Sequence, residues 1–597
     1  MPLPIETHRG AITDAVQAHG LVVVEAPTGS GKSTRIPVWL EESVDGQIVV
    51  VQPRRVAART LARFLAAERG ERVGASVGYR VGFDDRSSAS TRLLFATPGV
   101  VVRMLRNHVD RWPAVVILDE FHERSLEMDL CAAVLLEARR RGRTTAPLIL
   151  TSATLDGQWL VEQIGAVRVV AEGRSYPVRI EHNEEPSAPG PHDLEERVGS
   201  TVRRVLGQRD GDVLVFLPGK GEIDGCREVC ERIVPQDVDV LPFHASLSGE
   251  AIDKVFQPSS RRRVFLATNI AETSLTLPGV RTVIDAGLVR QMVHRGGRSA
   301  LALKPVSQAS LDQRAGRAGR TAPGWCVRLF SSGFRPEAND RPEVERMELD
   351  DLVVQAAACG LCGTTLTDAP WVTPLPEFAL ERAMATMTER GVLEENGALS
   401  ERGRKLADLP VSASVARAVL DAPAALRGAL ADVVALVERG EGLLRPPMGS
   451  GSRFENVVEE RRKLLDETRS DVEAGVRLLR RGHARRHGLS ASSLDDARRT
   501  AAVLRRLIDA KHPRPEDDDL RFDADGLARH LLARLPEQAF VLRPRAMKKR
   551  SGRSPRRGRG LPYANGEIEL SVEPWSDSED RSPPLAGLVL RIFWSGS

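Results

Sequence analysis

From Leu21 to Thr154, short apolar runs alternate with amphipathic stretches in the manner of a parallel sheet sandwiched by helices. Leu21 to Ala26, Ile48 to Val51, Leu93 to Ala96, Val115 to Leu118 and Leu148 to Leu150 are almost continuously apolar rather than alternating. Strands of that kind are buried on both faces. A stretch rich in Glu, Pro and Gly, Asn183 to His192, precedes or enters a second such series: Val213 to Leu217, Val264 to Ala267, Arg281 to Ile284 and Cys326 to Phe330. Two α/β lobes of similar build are therefore expected. Leu288 to Val306 has the length and alternation of a projecting hairpin, with a plain extension of the sheet as the alternative. From about Glu343 the pattern turns helical.

Chemistry sits where these runs end. Leu21 to Ala26 leads into Pro27-Thr28-Gly29-Ser30-Gly31-Lys32-Ser33-Thr34, a strand, a Gly-rich turn and a helix start. Backbone N–H groups of Gly29, Gly31 and Lys32 would face a triphosphate there, with Lys32 against the β and γ phosphates and the Ser33 hydroxyl on Mg²⁺. Ala26 replaces the first glycine of the strict pattern. The run Val115 to Leu118 ends in Asp119-Glu120-Phe121-His122. Asp119 suits the water shell of Mg²⁺, and Glu120 completes that acidic corner while orienting the water that attacks a γ phosphate. His122, two residues on, points to coupling with the second lobe; taken alone, a loop histidine satisfied by its neighbours is the favoured reading. Further along, Gln313-Arg314-Ala315-Gly316-Arg317-Ala318-Gly319-Arg320 places Arg317 and Arg320 three apart. Both reach a nucleotide bound to the other lobe if the run is helical, where such a finger accelerates hydrolysis by about 10³ to 10⁵. Small residues between the arginines favour a packed cleft over a solvated basic helix.

Together these segments resemble the superfamily 2 DEAH-box helicases, most nearly the bacterial HrpB type. Thr28 to Thr34 is similar to motif I, Gln52 to Ala57 to motif Ia, Thr97 to Gly99 to Ib, Asp119 to Ser125 to motif II, Ser152 to Thr154 to III, Val213 to Gly219 to IV, Ala267 to Thr276 to V and Gln313 to Arg320 to VI. Phe121 stands where the family name has alanine. The resemblance implies an ATP- and Mg²⁺-dependent motor, with Thr28, Gly29, Ser30, Gly31, Lys32, Ser33, Thr34 and Phe256 on the nucleotide. Lys32, Asp119, Glu120, His122, Gln313, Arg317 and Arg320 are the implied catalytic set, and Ser33, Asp119 and Glu120 the metal corner. Arg54, Arg55, Thr97, Thr268 and Asn269 are the implied contacts to the sugar-phosphate strand, which fix register without reading sequence. The arginine expected to pair with Phe256 across adenine falls at Phe64, beside Arg63, so relaxed nucleotide choice is expected.

Composition fits without adding a function. At about 150 residues per domain, 597 residues suggest roughly four units. The net charge of +4 leaves nucleic-acid binding to local clustering. Six cysteines form no disulfide framework; Cys359 and Cys362 are a lone CxxC, better read as a helix end than as a zinc site, and Cys226 and Cys230 share a helix face. No basic amino terminus followed by an apolar stretch and no run of about 18 apolar residues occurs, so a cytoplasmic protein without a membrane segment is expected.

The expected layout is RecA-like lobe 1 at 1–172, RecA-like lobe 2 at 173–335, a winged-helix-like unit at 336–409, a helical bundle at 410–525 and an OB-like, basic, incomplete unit at 526–597. Basic residues crowd Arg461 to Arg506, interleaved with acids as on a solvated helix surface. Arg543, Arg545, Lys548, Lys549, Arg550, Arg553, Arg556, Arg557 and Arg559 form a polycation with no acid, followed by strands at Glu567 to Val572 and Leu585 to Trp594. Chains of the HrpB type continue further than this one. The expected partner is single-stranded nucleic acid, RNA before DNA by resemblance, with an adaptor protein compatible and oligomeric state not encoded. A DNA helicase, or a nucleic-acid-binding ATP switch that does not unwind, are the alternatives.

Overall fold

The structure is a computed structural model that describes residues 3–107, 112–153, 157–172, 176–183, 189–190, 193–244, 247, 249–257, 259–272, 277, 279–295, 298–439, 452–468, 470–489, 491–508, 523–536, 539–542, 561–564, 569–572 and 586–588. They fall into two compact units that divide between Leu399 and Ser400.

The first unit holds two parallel-sheet lobes. Lobe 1 contains β1 (Leu21–Glu25), β2 (Ile48–Val51), β3 (Val77–Val81), β4 (Asp84–Arg86), β5 (Leu93–Ala96), β6 (Val115–Leu118), β7 (Leu148–Ser152) and β8 (Val167–Val170). Their order is β4-β3-β5-β2-β6-β7-β1-β8, parallel except for the β3–β4 hairpin. All residues of β2, β5, β6 and β7 are buried, which is why these central strands are apolar at every position. Lobe 2 contains β9 (Val178–His182), β10 (Asp212–Phe216), β11 (Val238–Phe243), β12 (Arg262–Ala267) and β13 (Val280–Asp285). A hairpin, β14 (Leu288–Arg295) and β15 (Arg298–Pro305), follows, and then β16 (Gly324–Arg328). The lobe 2 sheet runs β11-β12-β10-β13-β16-β9, wholly parallel. Leu214, Phe216, Phe265 and Val283 pack into one of its cores, and their neighbours Val213, Val215, Val264, Leu266 and Ile284 into the other. The alternation places a helix layer on each face.

β14 and β15 form a two-stranded sheet of their own, in register from Leu288↔Pro305 to Arg295↔Arg298, so this segment is a hairpin and not an extension of the lobe 2 sheet. The unit closes with helices at Asp350–Ala358 and Glu377–Glu389. Cys359 caps the first of these, and Cys226 and Cys230 are buried along the helix Lys220–Ile233. Among the described residues no group of His, Cys, Asp and Glu is arranged to hold a metal, and no helix is long and apolar enough to cross a membrane.

The second unit is mainly helical. Asp432, on the helix Ala424–Arg439, receives Arg480 Nε at 2.7 Å and Arg505 Nε at 3.1 Å from two other helices, Asp471–Arg481 and Ala491–Leu507. Arg461 is also buried and donates to the His487 carbonyl at 2.8 Å. Part of the basic run from Arg461 to Arg506 therefore belongs to the interior. The last strands, β17 (Ala539–Leu542), β18 (Leu561–Ala564), β19 (Glu569–Val572) and β20 (Ala586–Leu588), form an antiparallel sheet in the order β19-β18-β17-β20. The polycation from Arg543 to Arg559 lies outside the described residues.

Candidate functional site

In both sheets the loops at the carboxyl ends of the strands carry most of the predicted residues, as is usual for open parallel sheets, while Gln313, Arg317 and Arg320 lie on the segment that precedes β16 and Phe256 ends the helix Gly249–Phe256. After β1 the chain turns through Gly29 and Gly31 at φ 81° and 103°, conformations that glycine adopts without strain. The helix Lys32–Glu41 then begins, with Gly31 as an N-cap that brings no side chain. The Lys32 ammonium is buried and donates to the carbonyls of Ala26 at 2.6 Å and Pro27 at 3.2 Å. Burial pushes its pKa down, against the pull of Glu120 and Asp119. Ser30 is buried, its carbonyl accepting from Ile5 N–H at 3.2 Å, so the turn Pro4–His8 braces the loop. Thr34 Oγ1 donates to the Gly31 carbonyl at 3.2 Å, and Thr28 lies in the turn itself.

Asp119 follows β6 at the sheet's centre. Gln52 Nε2, from the end of β2, donates to it at 2.5 Å; the Thr151 hydroxyl, from β7, and the Ser33 hydroxyl also bond it. Burial, then the neighbouring Glu120, raises the Asp119 pKa. Gln52 and Thr151 escaped assignment because only the β2-β6-β7 order brings them to Asp119. Glu120 is buried at φ 51°, a costly backbone for a non-glycine residue, with its N–H toward Thr151 Oγ1 at 3.4 Å. His122 Nδ1 lies 3.5 Å from Glu120 Oε2, and its Nε2 is 3.1 Å from Gln313 Nε2 on the helix Gln308–Gly316 of lobe 2. The amide nitrogen can only donate, so His122 Nε2 accepts and the ring is neutral. Burial lowers its pKa in the same sense.

The arginine run is not one helix. It leaves the α-helix at Gly316 and passes through a 3₁₀ turn, Arg317–Gly319, in which positions three apart align. The Arg320 guanidinium lies over Gly29, where a Cβ would sit 2.9 Å from its Cζ. Burial pushes the Arg320 pKa down to about 10, and burial with repulsion from Arg320 lowers that of Arg317. Arg314, not singled out from sequence, is fully buried: it bonds Glu272 and, at 2.9 Å, Asp285 Oδ1, and lies over the Phe216 ring.

Comparison with known proteins agrees with this arrangement. Residues 6–162 match the DEAD/DEAH box helicase family and residues 197–322 the helicase conserved C-terminal domain. The chain is 36% identical over 417 residues to Escherichia coli ATP-dependent RNA helicase HrpB, covering 68% of this chain and 51% of that one. It is 34% identical over 439 residues to E. coli HrpA, covering 70% and 33%, and 35% identical over 439 residues to the Schizosaccharomyces pombe pre-mRNA-splicing factor ATP-dependent RNA helicase prp22, covering 70% and 37%. The crystal structure of E. coli DEAH/RHA helicase HrpB superimposes with a TM-score of 0.75 at 29% identity, covering 94% of this chain and 65% of that one. The two lobes match the DEAD/DEAH box helicases. It spans between a third and about half of the length of these curated relatives.

Within the acidic motif of lobe 1, Phe121 is buried beneath the Arg124 guanidinium, 5.3 Å from the ring centroid. Of the residues expected on the nucleic-acid strand, Arg54 joins the lobes: its Nε donates to Glu123 at 3.1 Å and its Nη1 to the Asn269 carbonyl at 2.6 Å. Arg55 lies along Gly82, Thr97 is buried at the start of the helix Pro98–Asn107, and Thr268 N–H donates to the Phe243 carbonyl at 3.2 Å. Phe256 is half-buried and packs edge-on to Phe243, ring centroids 5.7 Å apart. Phe64 is 51% exposed.

Proposed function

We propose that the chain is an ATP-hydrolysing motor that moves along single-stranded nucleic acid, RNA before DNA, and separates or remodels duplexes. The observation that carries this reading is the convergence of lobe 2 on two loops of lobe 1, those after β1 and β6. Arg320 of lobe 2 lies over Gly29, and Gln313 meets His122 at 3.1 Å. A site completed only when two lobes meet couples turnover to their relative motion.

The residues fit ATP and Mg²⁺. Gly29 and Gly31 hold the loop in left-handed backbone with no Cβ between it and Arg320 or Leu3, Lys32 supplies a cation, and the Ser33 hydroxyl beside the Asp119 carboxylate is an oxygen donor set of the kind Mg²⁺ takes. Held by Ser33 and Asp119, Mg²⁺ would supply positive charge against the phosphates. Glu120 orients the water for in-line attack, and Arg317 and Arg320 face the charge that develops on the phosphoryl oxygens. Burial lowers the pKa of both arginines, and a triphosphate beside them would favour their charged forms. The RNA preference is carried by the relatives, whose names are those of ATP-dependent RNA helicases.

A duplex-unwinding assay with ATPase followed in parallel tests the reading. ATP-dependent strand separation is expected; hydrolysis without separation favours the ATP switch, and stronger stimulation by a deoxy strand than by its 2′-hydroxyl counterpart favours a DNA helicase.

A further inference from the structure

We infer that Glu343 and Arg346 are positioning residues that tie the loop after Glu120 to the hairpin β14–β15, so that the state of the nucleotide site sets the position of the hairpin. This deepens the motor reading above and rests on it.

The loop is held in a conformation it would not keep alone. Among the described residues three non-glycines have positive φ, and two of them, Glu120 at 51° and Arg124 at 45°, flank the short turn Phe121–Glu123. Such backbone persists only where the surroundings fix it, and it clusters at switch regions. Here the surroundings come from beyond lobe 2. Glu343 N–H donates to the Arg124 carbonyl at 3.0 Å, and Glu343 Oε2 accepts from Leu126 N–H at 3.0 Å. The Arg124 side chain is forked onto Asp129 at 2.7 and 3.1 Å, with Thr373 Oγ1 at 2.8 Å.

The second oxygen of the same carboxylate leads outward. Glu343 Oε1 takes Arg346 Nη2 at 3.1 Å, while Arg346 Nη1 donates to the Met292 carbonyl of β14 at 2.8 Å and its Nε to the Arg341 carbonyl at 3.1 Å. All three guanidinium nitrogens are engaged in a planar fork, which transmits orientation better than a flexible ammonium would. The hairpin carries Arg295, Arg298 and Lys304 beside an Arg290 that is paired with Glu222, and has no acidic residue between Leu288 and Pro305, a charge pattern suited to a phosphate backbone. Among the described residues β14 and β15 pair only with each other, so side-chain ties settle where the hairpin stands: Arg290 to Glu222 and Arg314 to the Leu288 carbonyl on lobe 2, and Arg346 to the Met292 carbonyl beyond it. One carboxylate and one guanidinium thus bridge the first helix N–H after the acidic motif and the hairpin backbone.

Arg346→Ala in the full chain tests the tie. Basal ATPase and thermal midpoint should match wild type, while strands separated per ATP hydrolysed fall about tenfold, the scale of one coupling contact. Hydrogen exchange over residues 288–305 should respond to a non-hydrolysable ATP analogue in wild type and lose that response in the variant, and Arg346→Lys should restore part of both. An unchanged ratio and an unchanged exchange response overturn the inference, as does a parallel fall of ATPase and thermal midpoint, which would make Arg346 merely structural. Wild-type protein that hydrolyses ATP without separating strands defeats the motor reading instead, and the exchange response still decides whether the tie exists.

Discussion

Arg314 and Arg320 lie two turns apart in one motif, and their replacement by methionine should give opposite results. Arg314 is fully buried between Glu272 and Asp285, whose side chains are 9% and 0% exposed. Removing one partner of a buried ion pair costs about 3–5 kcal/mol, and here two carboxylates are stranded, so the upper value applies. For a lobe of this size, about 2–4 °C per kcal/mol places the loss at roughly 10–20 °C in the melting of lobe 2. Arg320 carries a cation that burial already disfavours, so Arg320→Met should leave the melting temperature unchanged or higher while lowering ATP turnover by about 10³ or more. Differential scanning calorimetry with steady-state ATPase separates the two. An Arg314→Met protein that melts with wild type, or an Arg320→Met protein that melts early while retaining turnover, would refute the division of labour between structural and catalytic arginines.

His122 is held neutral by burial and accepts from Gln313, so that contact is complete above the ordinary histidine pKa of about 6.5 and is lost as pH falls through the lowered value in the folded protein. Polymer-stimulated ATPase should show this acid limb, and Gln313→Leu should abolish it; the same limb in the variant would sink the assignment. With Phe64 exposed where the family's adenine-stacking arginine is expected, kcat/KM for ATP, GTP, CTP and UTP should agree within about tenfold, and a preference for ATP beyond about a hundredfold would show an adenine clamp after all. Asp432→Asn leaves Arg480 and Arg505 against an uncharged amide in the helical unit and should cost about 3–5 kcal/mol there by urea unfolding, whereas a loss under about 1 kcal/mol would mean the arginines find other partners.

The central strands were legible because a strand buried on both faces has no choice but to be apolar throughout. The strands that escaped lie mostly at or near the edges: β4 and β8 in lobe 1 and β9 and β11 in lobe 2, with β3 next to β4. An edge strand keeps one side partly in water, so polar residues enter, as in Val-Arg-Val-Val and Val-Arg-Ile-Glu-His, and the apolar run dissolves. The placement of Lys32, Asp119 and Glu120 was legible for a related reason: each follows an apolar strand, so its position at the sheet's carboxyl edge needs no tertiary knowledge. Gln52 and Thr151 needed the strand order. Arg314 could not be told from Arg317 and Arg320 by type or spacing, since what separates them is which carboxylates the fold brings near. Arg461 and Arg505 read as surface for the same reason, their partners lying on other helices or in distant turns.

Steady-state ATPase should be measured with no polymer, with single-stranded RNA and with matched single-stranded DNA, taking Glu120→Gln as the blank. Stimulation by RNA above DNA that the variant abolishes is the expected result, with turnover in the variant lower by about 10² to 10⁴. Turnover that ignores both polymers, or that survives in Glu120→Gln, would contradict a nucleic-acid-driven motor built on this cleft.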